Sequence, residues 1–367
     1  MKFIINRDLF LTPLQQIVSV IEKRQTMPIL ANVLLQLDEN QLVMTGTDTE
    51  IQIVSIVAVE NIKETGSITI PARKLLDICR LLPNNVDISF EMQEDKVKLV
   101  SGRSRFSLST LPAEHYPEFS ESHYDYQFFI NTGKFKNALE KTIFCMANQD
   151  VRYYLNGLLL NISNSKLKLV ASDGHRLSVY EDEIGQATGY EARIIIPRKA
   201  VQELSRLLDD KDSELDIQFS NNHIKVIYKN VVFSSKLIDS KFPDFSKVFN
   251  QEFLSPLLIQ KQLFKEALSR VAILANEKYR GVSFNISGDV LKLDAHNPEH
   301  DQADEELIID YKDQDLNISF NAQYLLDAVS NLDSEMAVLT IAKNASSCFI
   351  EESDQKLYKF IVMPIRM

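Results

Sequence analysis

Apolar and polar residues alternate along most of this chain in short runs, and a helical spacing of apolar residues interrupts them at only a few places. In the first third, KFIIN reads as a strand and Leu9 to Ile21 as a helix, with Pro13 expected to delay or kink its start. Alternating strands are expected around Val33 to Leu37, Gln41 to Thr45 and Ile51 to Val59. Ile68 to Ile70 then runs into Pro71 and a helix from Ala72 to Leu82, a place where a proline suits the first turn. Three further strands follow near Val86 to Phe90, Lys96 to Val100 and Phe106 to Ser109. Two helices among many antiparallel strands predict an α+β layout with the helices gathered on one side.

The same pattern recurs. ITIPARKLLDICRLL (Ile68 to Leu82) returns as IIIPRKAVQELSRLL (Ile194 to Leu208) and ISFNAQYLLDAVSNL (Ile318 to Leu332), with Pro71, Pro197 and Asn321 spaced 126 and 124 apart. LVMTGTD, LKLVASD and LKLDAHN end at Asp48, Asp173 and Asn297, spaced 125 and 124. YPEF (Tyr116 to Phe119) recurs as FPDF (Phe242 to Phe245), 126 residues on. A chain of 367 residues therefore holds three tandem copies of one fold, with boundaries expected near 124 and 250: residues 1–124, 125–250 and 251–367.

Composition first argues against a nucleic-acid partner, since 51 acidic and 40 basic side chains leave a net charge of -11. Placing the charges on the predicted elements reverses that. The six helical segments Arg7 to Arg24, Ala72 to Leu82, Lys134 to Ala147, Arg198 to Leu208, Lys261 to Ala275 and Ala322 to Leu332 carry fifteen Lys or Arg against seven Asp or Glu. That is +8, which leaves -19 for everything else. If the helices share one surface, that surface is positive and suits a polyanion held by its phosphates without sequence readout. A half-circle of three similar domains leaves open strand edges at both ends, and head-to-tail pairing with a second copy closes a ring. Twelve helices at about 10 Å each enclose a hole roughly 38 Å across, wide enough for a duplex about 20 Å thick.

TGTDTE (Thr45 to Glu50), PARKLLDICR (Pro71 to Arg80), SGRSRFSLSTLPA (Ser101 to Ala113), QDVRYYLNG (Gln149 to Gly157), SDGHRL (Ser172 to Leu177), NEKYRGV (Asn276 to Val282) and the closing VMPIRM together closely resemble the sliding clamps, the β subunits of bacterial DNA polymerase III. The resemblance covers the whole length. It implies three tandem copies of the DNA-clamp fold, each of two βαβββ halves, in a head-to-tail homodimer: a six-domain ring with helices lining a hole around double-stranded DNA. The ring would tether the replicative polymerase and have no chemistry of its own. Its implied partners are the polymerase α subunit, the clamp loader, translesion polymerases, ligase and mismatch-repair proteins, each bound through a short peptide motif.

The peptide pocket implied by the resemblance falls on Leu155, Ser172, Gly174, His175, Arg176, Leu177, Pro243, Lys247, Val248, Ser347, Ile361, Val362, Met363, Pro364, Ile365 and Arg366. Ser172 stands for the threonine, Lys247 for the arginine and Ile365 for the methionine of enterobacterial relatives; a lysine lacks the planar fork of arginine, so contacts at Lys247 are expected to be weaker. DNA contacts map onto Arg24, Arg73, Arg80, Gln149, Tyr153, Tyr154, Arg198 and Lys199, with Asn148 where a histidine is usual. The dimer interface maps onto Lys74, Arg103, Arg105, Phe106 and Leu108 at one end and Ile273, Leu274, Asp301, Asp304 and Glu305 at the other. The residues themselves agree: GRSRFSL is a basic edge strand and EHDQADEE (Glu299 to Glu306) an acidic run, so unlike ends attract.

Reactive chemistry finds little support. His296 and His300 have HxxxH spacing, but Pro298 between them disfavours a zinc helix. Asp173 and His175 have no nucleophile at a recognisable spacing, and no phosphate-binding or dinucleotide motif is present, so neither a cofactor nor a metal is expected. Cys79, Cys145 and Cys348 are too few and too far apart for a disulfide framework or metal site, and Cys79 and Cys145 fall on apolar helical patterns that suit core packing. The sequence has no run of eighteen apolar residues, and MKFIINRDLF lacks the apolar core of a signal peptide, so a cytoplasmic location is expected. The competing reading is a repeat-built scaffold that binds peptides without surrounding DNA.

Overall fold

The computed structural model describes residues 1–22, 27–119, 123–209, 212–354 and 357–366. In the first repeat the order is β1 (Lys2–Asn6), α1 (Arg7–Val18), β2 (Asn32–Leu37), β3 (Gln41–Thr47), β4 (Ile51–Ala58), β5 (Asn61–Glu64), β6 (Gly66–Pro71), α2 (Ala72–Leu81), β7 (Asp87–Gln93), β8 (Lys96–Ser101) and β9 (Ser104–Ser109). The second holds β10 (Tyr126–Asn131), α3 (Thr132–Ile143), β11 (Gly157–Ser163), β12 (Lys166–Ser172), β13 (Arg176–Glu183), β14 (Glu191–Pro197), α4 (Arg198–Leu207), β15 (Glu214–Phe219), β16 (His223–Tyr228) and β17 (Val231–Lys236). The third holds β18 (Leu257–Gln260), α5 (Lys261–Val271), β19 (Gly281–Ser287), β20 (Val290–His296), β21 (Gln302–Ile308), β22 (Leu316–Asn321), α6 (Ala322–Ser330), β23 (Met336–Ile341), β24 (Cys348–Glu352) and β25 (Tyr358–Val362). Each repeat is two βαβββ halves. Among the described residues, β5, absent from the expected elements, is the one strand without a counterpart in the other two.

The chain forms two compact units, one from Met1–Lys136 with Lys199–Asp239 and one from Asn137–Arg198 with Ser240–Met367. The first contains a five-stranded sheet, β5-β1-β7-β8-β9, and an eight-stranded sheet, β10-β15-β16-β17-β4-β3-β2-β6. The second contains an eight-stranded sheet, β14-β11-β12-β13-β25-β24-β23-β18, and a four-stranded sheet, β21-β20-β19-β22. Sheets therefore run across the repeat boundaries. β4 of the first repeat pairs antiparallel with β17 of the second, Ile53 opposite Phe233, and β13 of the second pairs with β25 of the third, Ser178 opposite Phe360.

Local chemistry explains where the helices begin and end. α1 starts at Arg7, earlier than expected from Pro13, because the Asn6 side chain accepts from the Asp8 amide and caps the first turn. Pro13 sits within the helix, which forgoes one internal hydrogen bond without breaking. α3 and α5 end at Ile143 and Val271, short of the expected Ala147 and Ala275; α5 tightens into a 3-10 turn over Ala272–Leu274.

Many helix cations serve neighbouring helix ends. The buried Arg7 donates Nε to the Cys79 carbonyl at 2.8 Å and Nη2 to that of Arg80 at 3.1 Å, at the end of α2. Arg73 on α2 reciprocates, donating to the Ile21 carbonyl beyond α1 at 2.9 Å. Arg198 donates to the Met146 and Ala147 carbonyls beyond α3. Lys261 and Lys141 reach the Leu332 and Asn331 carbonyls beyond α6. A cation at a helix C-terminus satisfies carbonyls that lack helical donors and opposes the local negative end of the dipole.

Beneath α1, Gly46 on β3 lets helix and sheet approach: a Cβ there would lie 2.4 Å from Ile17 Cγ2 and 3.0 Å from the Ile17 carbonyl oxygen. Phe3 and Phe90 stack at 4.7 Å in the same core. Gly46→Ala is expected to cost about 1–3 kcal/mol through overpacking, read as a lower thermal midpoint; an unchanged midpoint would show that α1 can lift without penalty.

Candidate functional site

The turn between β12 and β13 is held by its own side chains. Ser172 Oγ donates to the Arg176 carbonyl at 2.8 Å and accepts from the Gly174 amide at 3.1 Å. Asp173 Oδ1 accepts from the amides of His175 and Arg176 at 2.9 and 3.0 Å, and its Oδ2 takes Arg176 Nε at 3.0 Å. Gly174 has φ +90°, a conformation that favours glycine, and a Cβ there would lie 2.8 Å from the end of the Arg152 side chain, which would have to move aside.

Arg176 is the hub of this region. Besides Asp173 it binds Asp327 of α6, and its guanidinium lies over the Tyr324 ring at 4.5 Å and the Phe144 ring at 5.6 Å. Burial works to lower its pKa, but Cys145 and the Asp327 and Asp173 carboxylates together raise it. Against it lies a cavity of about 160 Å³ lined by Ser172, Arg176, Leu177, Phe242, Pro243, Asp244, Phe245, Val248, Ile361 and Met363. Several times the roughly 30 Å³ of one water, it has room for an apolar side chain or two. Two rungs along the β13·β25 ladder the same face carries Val179 and Lys359, which open into a wider hollow of about 450 Å³ that shares the Phe245 wall.

Of the sequence-derived pocket residues, Ser172, Arg176, Leu177, Pro243, Val248, Ile361 and Met363 line the smaller cavity. Gly174 and His175 form its turn, and His175 stacks near Tyr324 at 6.4 Å. The C-terminal segment is pinned on both sides of Pro364: the Met363 amide donates to the His175 carbonyl at 2.9 Å and the Ile365 amide to that of Ser319 at 2.8 Å. Leu155 and Val362 are buried, as is Ser347, which accepts from Gln251; Lys247 and Arg366 are exposed. Phe242, Asp244 and Phe245 are additions to the cavity wall. Sequence reasoning did not place them there; the recurrence of YPEF as FPDF, used only to mark the repeats, is the signal that could have found them.

The other candidate contacts are scattered among different surroundings. Arg24 lies outside the described residues. Arg73 and Arg80 are exposed on α2. Arg198 is engaged with carbonyls, and Lys199 is paired with Glu22 and Asp48. In the loop before β11, Asp150 clamps Arg152 through Nε at 3.0 Å and Nη2 at 2.9 Å, which holds the Asp150 pKa down at about 2. That loop presents Gln149 at φ 58° and leaves Val151 and Tyr153 88% and 75% exposed, with Tyr154 half-buried and Asn148 exposed.

Arg103, Arg105, Phe106 and Leu108 lie on or beside β9, an outer strand of its sheet, and Asp304 and Glu305 on β21, an outer strand of another, with Asp301 just before it. Glu305 is held by Arg270, and Asp304 lies 3.6 Å from Lys292. Lys74 is exposed on α2, Ile273 is 76% exposed after α5, and Leu274 is half-buried.

All three cysteines are buried, and burial pushes the Cys79 and Cys348 thiols up to about 12 and the Cys145 thiol higher. A buried thiol at such a pKa is not poised as a nucleophile. Among the described residues no group of three or more His, Cys, Asp or Glu is placed to hold a metal ion, and no helix is long and apolar enough to cross a membrane.

These features define a protein that holds other molecules: a triplicated clamp fold with a preformed side-chain cavity. The family models agree repeat by repeat, with the N-terminal, central and C-terminal domains of the DNA polymerase III β subunit matching residues 1–120, 129–244 and 246–366. The β sliding clamp of Pseudomonas aeruginosa is 42% identical and that of Escherichia coli K12 41%, each over 367 residues and the full length of both chains. A crystal structure of the P. aeruginosa sliding clamp superposes with a TM-score of 0.96 at 41% identity, and a Caulobacter crescentus polymerase III β structure with 0.94 at 33%, both covering all of each chain. The chain belongs to the DNA polymerase III β subunit family, the bacterial β sliding clamps. It is a non-catalytic processivity subunit of that polymerase holoenzyme.

Asp173→Ala removes the acceptor of two backbone amides and one guanidinium bond. It is expected to cost about 2 kcal/mol or more and to speed hydrogen exchange at the His175 and Arg176 amides; unchanged protection there would mean that the turn is held by other contacts.

Proposed function

We propose that two copies of this chain close head to tail into a ring that slides on duplex DNA without reading sequence, and that the cavity beside Arg176 takes short peptides from proteins needing to stay there. The carrying observation is the pattern of strand junctions. β4, β13 and β21 are equivalent strands of the three repeats, as are β9, β17 and β25. The pairs β4·β17 and β13·β25 are made within the chain, and β21 and β9 are left as outer strands of their sheets. Pairing β21 of one copy with β9 of a second supplies the third junction twice over and uses both edges.

The internal junctions also supply a register. Phe106, Phe233 and Phe360 occupy the same place in their hairpins, opposite Leu99, Val226 and Ile350. With Ile53 opposite Phe233 and Ser178 opposite Phe360, the equivalent pair is Ala303 opposite Phe106, which sets Asp304 against Arg105. Lys74, Arg103, Leu108, Ile273, Leu274, Asp301 and Glu305 would complete this contact. Three domains, residues 1–124, 125–250 and 251–367, follow from the repeats.

DNA in such a ring meets phosphate-directed cations, of which Arg73 and Arg80 are exposed in the structure, with Gln149 and Tyr153 on a projecting loop. The same reading assigns Arg24, Tyr154, Arg198 and Lys199 to DNA. The pocket partners are the polymerase α subunit, clamp loader, translesion polymerases, ligase and mismatch-repair proteins, in the cytoplasm. Apolar walls from Leu177, Ile361 and Met363 suit an anchored Leu or Phe side chain.

Chain loaded on DNA by a clamp loader should remain on a nicked circle at high salt and be lost once the circle is cut. Equal loss from both forms would favour the peptide-binding scaffold. Asp304→Arg should give monomers in light scattering, because it opposes Arg105, and adding Arg105→Asp to the same chain should restore the dimer; no restoration would refute the register.

A further inference from the structure

The first repeat builds its own version of the turn beside Arg176. Thr47 Oγ1 donates to the Ile51 carbonyl at 2.7 Å and accepts from the Thr49 amide at 3.0 Å. Asp48 Oδ1 accepts from the amides of Glu50 and Ile51 at 2.9 and 2.7 Å. Each bond has its counterpart 125 residues later, in the Ser172–Arg176 turn. Thr49 even adopts φ 78°, the left-handed conformation taken by Gly174. The neighbouring strand matches as well: the Lys236 amide donates to the Glu50 carbonyl at 2.9 Å as that of Met363 does to His175.

This turn, too, faces a cavity. It measures about 230 Å³ and is lined by Thr47, Thr49, Pro117, Glu118, Phe119, His223 and Lys236. Thr47 and Thr49 stand where Ser172 and Gly174 stand, and Pro117, Glu118 and Phe119 where Pro243, Asp244 and Phe245 stand in the other cavity. The wall that differs is the one from the strand ladder. Leu177 and Ile361, opposite each other at one junction, become Gln52 and Ser234, opposite each other at the other, and Met363 becomes Lys236.

We propose that this cavity is a second peptide-binding site, selective for a segment with a carboxylate beside an aromatic side chain. The inference rests on reading the Arg176 cavity as a peptide site, since the two share one construction. Phe119, whose ring meets the His223 ring edge-on at 5.7 Å, and Pro117 supply the apolar wall. Lys236 supplies the positive charge, in a lining that also holds one carboxylate, the exposed Glu118. Its present partner is Glu50 at 3.0 Å, with the two side chains 46% and 65% exposed. An exposed pair of this kind contributes little and exchanges readily for an incoming carboxylate. Arg176 has no such freedom, being held by Asp173 and Asp327 with its side chain only 13% exposed. The two cavities therefore share a frame and differ in preference: an apolar anchor beside Met363 and an acidic one beside Lys236.

Two fluorescein-labelled peptides separate the possibilities by anisotropy on the full chain, one containing Gly-Asp-Asp-Phe-Gly and one Gly-Leu-Leu-Phe-Gly. Lys236→Glu should weaken the acidic peptide by about fivefold or more and leave the apolar one unchanged; Met363→Ala should do the reverse. Phe119→Ala, which alters no charge, should also weaken the acidic peptide, and equal thermal midpoints establish that the variants are folded. No binding of the acidic peptide at about 1 mM, or binding indifferent to Lys236→Glu, overturns the proposal. So does loss of the acidic peptide in Met363→Ala, which would place it in the other cavity. An apolar peptide indifferent to Met363→Ala would instead overturn the reading of the Arg176 cavity.

Discussion

A strand at the edge of a sheet carries backbone donors and acceptors that need partners, and this need organises the molecule. At two places the chain meets it internally, by laying the last strand of one repeat against the fourth strand of the preceding one. The eight-stranded sheets that result belong to no single repeat. Both cavities depend on these junctions, because the turn leading into each fourth strand and the strand that pairs with it supply two walls of each. A cavity made this way repeats with the junction, and its lining changes with the few side chains on the paired strands.

Charge follows a similar economy. The six helices carry thirteen Lys or Arg against six Asp or Glu, a balance of +7 in a chain of net charge -11. Part of that positive charge is already committed. Arg7, Arg73, Lys141, Arg198 and Lys261 each bond carbonyls at or just beyond the end of a helix, and Lys141 also pairs with Asp333 beneath Tyr358. The surplus on the helices is therefore partly a structural device as well as a source of positive surface.

The repeats were legible in the sequence because three anchor sets shared one period, and the βαβββ halves followed from the alternation within each. Helix limits were harder. Asn6 as a cap outweighed the warning from Pro13, and β5, a short strand with no counterpart in the other repeats, gave no periodic signal. Ser172, Arg176 and Leu177 were readable from one motif, whereas Phe242 and Phe245 reach the same cavity from residues far along the chain. Engagement was not readable at all. That Lys199 is tied to Glu22 and Asp48, or that Arg152 rests on Gly174, depends on folding across long separations.

In a ring of the kind proposed, four of six junctions are backed by a continuous polypeptide, and two are held by contact alone. Those two join a basic strand to an acidic one, and their exposed charges attract across a distance that salt screens. The residence of such a ring on DNA is then set by how often either of two charged seams parts, a rate that ionic strength can alter without touching the interior of any repeat.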